Sequence, residues 1–198
     1  MSAAVAAAPV NDPREVRGWM MYDWANSAFV TTVGTVLLGP YLTALAQAAV
    51  GENGRIFSFG PIDVTAKSLY ADTVSLAVLL QVLLLPVLGA VADYTDLKKR
   101  LMAAFCYAGA GATCLLFFVT TGGHLAGAVL YAIANLCFGA AVVLYNAFLN
   151  EICTPERRDR VSSRGWALGY LGGGILLALN LALVQLGPRF GVSTGLAV

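Results

Sequence analysis

The sequence predicts an all-α, polytopic membrane helix bundle, and three observations carry that prediction: an apolar surplus, long uncharged runs, and cations gathered on one side. Of 198 residues, 59% are hydrophobic and 12% charged, with a mean hydropathy of +0.75. A single soluble core of this size needs far fewer apolar residues. Five segments carry no charged residue, Ala28–Val50, Thr73–Ala92, Leu101–Gly123, Leu125–Asn150 and Gly165–Pro188, of 23, 20, 23, 26 and 24 residues. About 20 apolar residues rising ~1.5 Å each cross a hydrocarbon core of about 30 Å. Lipid offers the backbone no hydrogen-bond partner, and a helix satisfies its amides internally. Nine of the twelve cations (Arg14, Arg17, Lys98, Lys99, Arg100, Arg157, Arg158, Arg160 and Arg164) fall on one side of the resulting topology, against Arg55, Lys67 and Arg189 on the other. The positive-inside rule therefore places the N-terminus in the cytoplasm.

Taken in order, residues 1–17 read as a cytoplasmic arm and residues 18–198 as a transmembrane domain with five spans, at about 19–50, 73–92, 101–123, 125–150 and 165–188. The opening MSAAVAAAPVNDPREVRG has a six-residue apolar patch with no basic residue before it and Pro9, Asn11, Asp12 and Pro13 behind it. That is not the layout of a signal peptide, so the first span serves as an uncleaved insertion signal. GENGRIFSFGPIDVTAKSLYAD forms the first outer loop, GAVADYTDLKKR holds the charged inner turn, a tight Thr-Gly-Gly-His connection returns outside, and CTPERRDR is a second basic inner loop. After Pro188 come Arg189 and then FGVSTGLAV, nine apolar or small residues that read as a sixth span beginning, so the chain is expected to be truncated.

Several functions are excluded. No Walker loop, HExxH or nucleophile elbow occurs, and neither a Ser/His nor an Asp/Asp pair lies within the spans, so no enzyme, catalytic residue, organic cofactor or metal is expected. Cys106, Cys114, Cys137 and Cys153 show no metal or redox spacing and read as small packing residues. The single His124, at the mouth of an outer loop, is expected to be solvated or interfacial. A formal net charge of +1 carries no message about nucleic acid, and none is expected as a partner.

Polar residues inside apolar runs are the candidate functional groups, because an amide or carboxylate in lipid must meet a partner or a cavity. Asn135, Asn146 and Asn150 fall on one stripe of the fourth span, either as interhelical hydrogen-bonding groups or as a solute-lining face. Asn26 repeats the chemistry on the first span. Tyr22 to Phe29 and Tyr131 to Phe138 share Y-x-x-A-N-x-x-F, as an inverted repeat would. Asp23, among Trp19, Tyr22 and Trp24, is either a helix N-terminal carboxylate paired with Arg17 or the partner of a substrate ammonium or a proton. Gly165, Gly169 and Gly173 are spaced four apart, a smooth groove for close helix packing that Gly172 and Gly174 would widen. Asp93 ends the second span, where a carboxylate opposes the helix dipole and so implies a partner on another helix.

These residues resemble the major facilitator superfamily of secondary transporters. The inner turn is similar to that superfamily's G-x-x-x-D-[RK]-x-G-[RK]-[RK] motif in Gly89, Asp93 and Lys98, with Tyr94, Asp96 and Leu97 departing from it. REVRGWMMYDWANSAFVTTVGTVLLGPYL and NEICTPERRDRVSSRGWALGYLGGG resemble the autophagy-related vacuole effluxer family and its bacterial relatives, over about residues 14–188. The fifth span resembles the antiporter motif G-x-x-x-G-P-x-x-G-G at Gly165, Gly169, Gly173 and Gly174, with Tyr170 in place of the proline. The resemblance implies that this chain is five helices of a six-helix N-terminal half, that Asp93 latches a helix of the missing half, and that fungal members export amino acids from the vacuole.

The expected function is therefore secondary active transport of a small solute by alternating access. Asn26, Asn135 and Asn146 would contact the solute, Asp23 would couple, and Gly89, Asp93 and Lys98 would gate. The implied partners are the lipid bilayer, the solute, a proton or other ion, and the missing C-terminal half or another subunit. A multi-pass bacterial plasma membrane protein is favoured over a vacuolar one. The competing reading is a truncated membrane protein that transports nothing, or a half-size scaffold subunit.

Overall fold

The computed structural model describes residues 10–187 except 95, the side chains of Phe59 and Ile62 also lying outside the description. The N-terminal apolar patch, Arg189 and the expected beginning of a sixth span lie outside the described residues. The elements run α1 (Pro13–Ala28), a π-helical segment (Phe29–Leu37), α2 (Leu38–Val50), strands β1 (Arg55–Phe59) and β2 (Ile62–Thr65), α3 (Leu69–Tyr94), α4 (Lys98–Leu116), α5 (His124–Ile152) and α6 (Pro155–Leu186).

Local chemistry sets the ends. The Asp12 carboxylate accepts from the Arg14 amide at 2.8 Å, Pro13 occupies the first helical position and Glu15 adds negative charge to the first turn of α1. The helix therefore starts six residues before the expected position 19. It continues unbroken through the π segment into α2. Pro40 lacks an amide hydrogen and its ring crowds the carbonyl of Val36, a strain that the wider π turn just before it relieves. Gly51 ends α2 at φ +89°, a conformation costly for any side chain. At the far end of the chain Thr154 and Pro155 open α6, with Glu156 in its first turn.

Among the described residues four stretches are long and apolar enough to cross a membrane: Pro13–Val50, Leu69–Tyr94, His124–Ile152 and Pro155–Leu186. The third expected span is shorter than its uncharged run. α4 stops at Leu116, and the amides of Phe117, Phe118 and Val119 turn back onto the carbonyls of Cys114, Leu115 and Leu116. Three of its 19 residues are Lys98, Lys99 and Arg100, which leaves an apolar length of only ~24 Å.

The chain divides into two compact units, residues 10–32 with 145–187, and residues 33–144. In the second, the segment between α2 and α3 folds into an antiparallel hairpin that the sequence analysis did not anticipate. Phe57 pairs with Val64 and Ser58 with Asp63, and Gly60 takes φ +61° at the first turn position ahead of Pro61, as a type II′ turn requires. Val64, Ala66 and Leu69 bury against Ala46 and Ala128, with Ile56 alongside. Tyr41 donates to the Val119 carbonyl at 2.6 Å. His124, expected to be solvated or interfacial, is 8% exposed at the start of α5, just after the tight turn through Gly122 (φ +86°).

Candidate functional site

The first unit brings together α1, the end of α5 and α6. Its contacts follow from absent side chains, since helices in lipid gain little hydrophobic energy from meeting and rely on close van der Waals approach. A Cβ on Gly165 would lie 2.7 Å from Trp19 Cζ3, and one on Gly169 2.6 Å from Ser27 Oγ and 2.9 Å from Asp23 Oδ2. On Gly172 it would lie 2.8 Å from Trp24 Cδ2, and on Gly173 2.5 Å from Thr31 Oγ1. These four glycines are buried and form one wall against Trp19, Asp23, Ser27 and Thr31, spaced four apart along α1 and into the π segment, and against Trp24. Gly174, expected to widen the groove, is exposed and faces open space. One further residue carries it about 100° beyond Gly173 and off the contact.

Asp23 is half-buried on this wall. Arg17, its expected ion-pair partner, is exposed, and among the described residues the two form no salt bridge. Trp19 stacks on Tyr145 with ring centroids 4.3 Å apart and 11° between planes, and Tyr22 stacks on Tyr145 at 5.0 Å. The Trp19 indole Nε1 donates to the Tyr145 carbonyl at 3.0 Å. Tyr145 was not among the sequence candidates, and its neighbour Asn146, which was, is exposed. Asn26 is half-buried in the same unit.

At the end of the unit that carries the α5–α6 loop, the Asn11 amide donates to the Ile152 carbonyl at 2.8 Å and its Oδ1 accepts from the Thr154 amide at 3.2 Å. Arg158 donates to the carbonyls of Cys153 and Asn150 at 3.2 and 3.1 Å, satisfying acceptors that the end of α5 leaves free. Cys153 is 1% exposed, and burial pushes its thiol up against the opposing pull of Arg157 and Arg158, which keeps it protonated and inert.

In the second unit Asn135 is half-buried, and its backbone carbonyl accepts from Gln81 Nε2 at 2.7 Å. Gln81 lies on Gly139, whose Cβ would sit 2.6 Å from Gln81 Cδ. Gln81 is the single amide in an otherwise uncharged run, a signal available in the sequence and passed over. Tyr70 donates to the Gly34 carbonyl within the π segment, and its hydroxyl lies 3.3 Å from that of Tyr131. Both tyrosines of the Y-x-x-A-N-x-x-F echo therefore meet a tyrosine on another helix, Tyr22 with Tyr145 and Tyr131 with Tyr70. In the turn between α3 and α4, Gly89 faces open space, Asp93 is exposed near the end of α3, and Lys98 opens α4 half-buried.

Long apolar helices with charged ends and polar side chains held at helix contacts define a multi-pass membrane protein. The sequence profile of the family described as vacuole effluxer Atg22 like matches residues 11–155, and the chain belongs to that family. Among curated relatives, the "Uncharacterized MFS-type transporter YxiO" of Bacillus subtilis is 29% identical over 174 residues, covering 87% of this chain and 38% of the relative. "Autophagy-related protein 22" of Chaetomium globosum is 28% identical over 160 residues, 69% of this chain and 24% of the relative. "Autophagy-related protein 22-1" of Penicillium rubens is 30% identical over 170 residues, 69% and 28% respectively. The chain thus spans well under half the length of these relatives. No solved structure matches it significantly.

Proposed function

We propose that this chain is the N-terminal part of a secondary active transporter that moves small solutes by alternating access, with amino acids as the solute class. The relatives named as an MFS-type transporter and as autophagy-related protein 22 support the transporter reading, and the family description as an effluxer supports export. In this reading residues 1–17 are a cytoplasmic arm, residues 18–198 form the transmembrane domain, α4 completes a count of five spans, and the membrane is the bacterial plasma membrane. A missing C-terminal half or another subunit would supply the second wall of the path.

The observation that carries the proposal is Asp23, a carboxylate within the first membrane-crossing stretch, facing the Gly169 backbone of α6. Ionisable groups within membrane-crossing helices mark ion and solute pathways because burying them for structure alone is unfavourable. Asp23 serves as the coupling carboxylate, and Asn26, Asn135 and Asn146 contact the solute. Gly89, Asp93 and Lys98 gate from the inner turn, and Gly165, Gly169 and Gly173 give α6 a surface on which α1 can shift.

Efflux of a panel of labelled amino acids from proteoliposomes tests this, using a full-length relative beside the 198-residue chain. The full-length protein should export at least one member, and changing the residue corresponding to Asp23 to Asn should abolish coupling to the gradient. If no amino acid moved under any ion gradient, or the Asn variant transported like its parent, the proposal would fail.

A further inference from the structure

One face of α6 changes chemistry part-way along its length. Arg157, Arg160 and Arg164 follow helical spacing, and at ~100° per residue they fall within about 60° of one another. All three are exposed, and among the described residues none forms a salt bridge. Leu171, Ile175 and Leu179 continue the same face and are exposed as well. The helix thus presents cations over ~10 Å and hydrocarbon beyond them.

Neighbouring residues fix where that change falls. The uncharged run of α6 begins at Gly165, directly after Arg164, and the exposed Trp166 and Tyr170 meet edge to face with ring centroids 6.3 Å apart. Exposed tryptophan and tyrosine gather at the membrane–water boundary. Arg164 therefore lies where hydrocarbon gives way to headgroups, a layer about 5–7 Å deep on each side of the core, and Arg160 lies ~6 Å further out. α1 adds a cation to the same side. Trp19 meets Gly165 and Asp23 meets Gly169, so the two helices run parallel and in step, which puts Arg17 level with Ser163. Arg17 is exposed and shares a stripe of α1 with Trp24, which packs on Gly172, the wall glycine nearest in helix angle to the arginines. The acidic residues lie elsewhere. Glu15 and Asp159 are about 200° round their helices from Arg17 and Arg157, and Glu156 is in the first turn of α6, where it favours the helix dipole.

We propose that this face of α6, with Arg17 beside it, binds an anionic phospholipid, the arginines holding its phosphate and Leu171, Ile175 and Leu179 carrying its acyl chains. A guanidinium matches two phosphate oxygens with parallel hydrogen bonds. Arg160 and Arg164, one turn apart, repel each other until an anion lies between them. A soluble anion answers the charges and leaves the apolar length unused. A phospholipid carries both in the same order as the helix, phosphate at the headgroup level and hydrocarbon below it. The site requires that α6 cross a membrane and does not depend on the transporter reading.

Native mass spectrometry of the 198-residue chain in detergent, titrated with phosphatidylglycerol or with phosphatidylcholine of the same acyl chains, measures the affinity for the first bound lipid. Phosphatidylglycerol should bind at least about fivefold more tightly, the factor that one arginine near an anionic lipid surface supplies. Arg160→Gln with Arg164→Gln should bring the ratio below about twofold. Lys99→Gln with Arg100→Gln removes the same charge from α4 and should leave the ratio unchanged. Glycerophosphoglycerol, the same headgroup without acyl chains, should not displace the lipid at tenfold excess. No preference for phosphatidylglycerol, or an equal loss in both double variants, overturns the site, and displacement by the free headgroup shows a site for a soluble phosphate instead and overturns the lipid assignment. If the Arg160 and Arg164 pair fails to fold, Arg17→Gln with Arg157→Gln decides, a lowered ratio supporting the site and an unchanged one removing it.

Discussion

Trp19 lies nearly parallel to Tyr145, 4.3 Å from ring centre to ring centre, and its indole Nε1 donates to the same residue's backbone carbonyl at 3.0 Å. One side chain thus fixes both the ring and the main chain of a residue on α5, while Gly165 of α6 approaches the other edge of the indole. Three helices are keyed together at a single aromatic side chain.

Substitutions of Trp19 separate the two contacts. Trp19→Phe keeps a ring against Tyr145 and loses the hydrogen bond, which in membrane proteins is worth about 0.6 kcal/mol on average and up to about 1.7. Trp19→Ala loses the stack as well, worth a further ~0.5–1.5 kcal/mol beyond the lost packing area, and opens a cavity. Denaturant titration in mixed micelles should therefore rank wild type above Phe above Ala, with the Ala variant lower by about 3 kcal/mol or more. Equal stability of the Phe and Ala variants would show that the ring contact contributes nothing.

The glycine wall makes a sharper contrast. Gly169→Ala places a methyl 2.6 Å from Ser27 Oγ and 2.9 Å from Asp23 Oδ2, and Gly172→Ala places one 2.9 Å from the Trp24 carbonyl oxygen. Side chains can rotate away and backbone cannot, so Gly172→Ala should destabilise more than Gly169→Ala, and Gly169→Leu should separate α1 from α6. Gly174→Ala meets nothing and gains up to about 1 kcal/mol of helix propensity. Thermal scanning of the three alanine variants should show Gly174→Ala at or above wild type and the other two below it.

The hairpin supplies a pH dependence. A hydrogen bond from Ser58 at 2.5 Å and the charge of Arg55 at 3.5 Å hold the Asp63 carboxyl below the usual carboxylate range. Its folded pKa is lower than its unfolded one, so the contribution to hairpin stability is fully present above the unfolded value of about 3.9 and is lost as pH falls through the folded value. Amide protection in β1 and β2 should stay constant from neutral pH down to about 5 and decline only in stronger acid. Asp63→Asn should remove that decline. A loss of protection between neutral pH and about 5 would point to a different group.

Tyr70 should anchor the π segment. Its hydroxyl donates to the Gly34 carbonyl and its ring covers Gly39, where a Cβ would lie 3.1 Å away. Tyr70→Phe removes the hydroxyl alone and should lower stability by about 0.5–1.5 kcal/mol. It should also speed amide exchange at residues 34–39 more than in α5. Uniform exchange changes along the chain would mean that the contact is not local.

In the turn after α3, Asp93 is exposed near the helix end, so Asp93→Asn should change this chain's stability by no more than about 0.5 kcal/mol, while Gly89→Ala, whose methyl meets nothing, should be neutral or stabilising by up to about 1 kcal/mol of helix propensity. A gating role predicts that the equivalent Asp→Asn change in a full-length relative lowers transport at least about tenfold with expression unchanged. Unaltered transport there would remove the latch.

Uncharged length made the membrane helices legible, and spacing by four made Gly165, Gly169 and Gly173 legible, because both depend on local sequence alone. α4 fell short because an uncharged run sets only an upper bound on helix length, and Phe117 to Val119 spend three of those residues in a turn. The hairpin left a visible signal, with β-branched and aromatic residues on either side of Gly60 and Pro61, that the hydropathy reading of a loop passed over. The π segment was foreshadowed by Pro40 and by the run FVTTVGTV. Tyr145 had no such signal. An apolar ring beside Asn146 acquires meaning only once α1 lies against it, a tertiary fact that no local pattern encodes.

The most direct test of the whole account is sidedness of the α3 crossing. Single cysteines at Asn53 and Lys98, in a background lacking the four native cysteines, are labelled in sealed vesicles with a membrane-impermeant maleimide. The account predicts that Asn53→Cys reacts only from outside and Lys98→Cys only from the cytoplasmic side, with the chain remaining in the membrane after carbonate washing. Labelling of both positions from the same side, or release of the chain by carbonate, would contradict it.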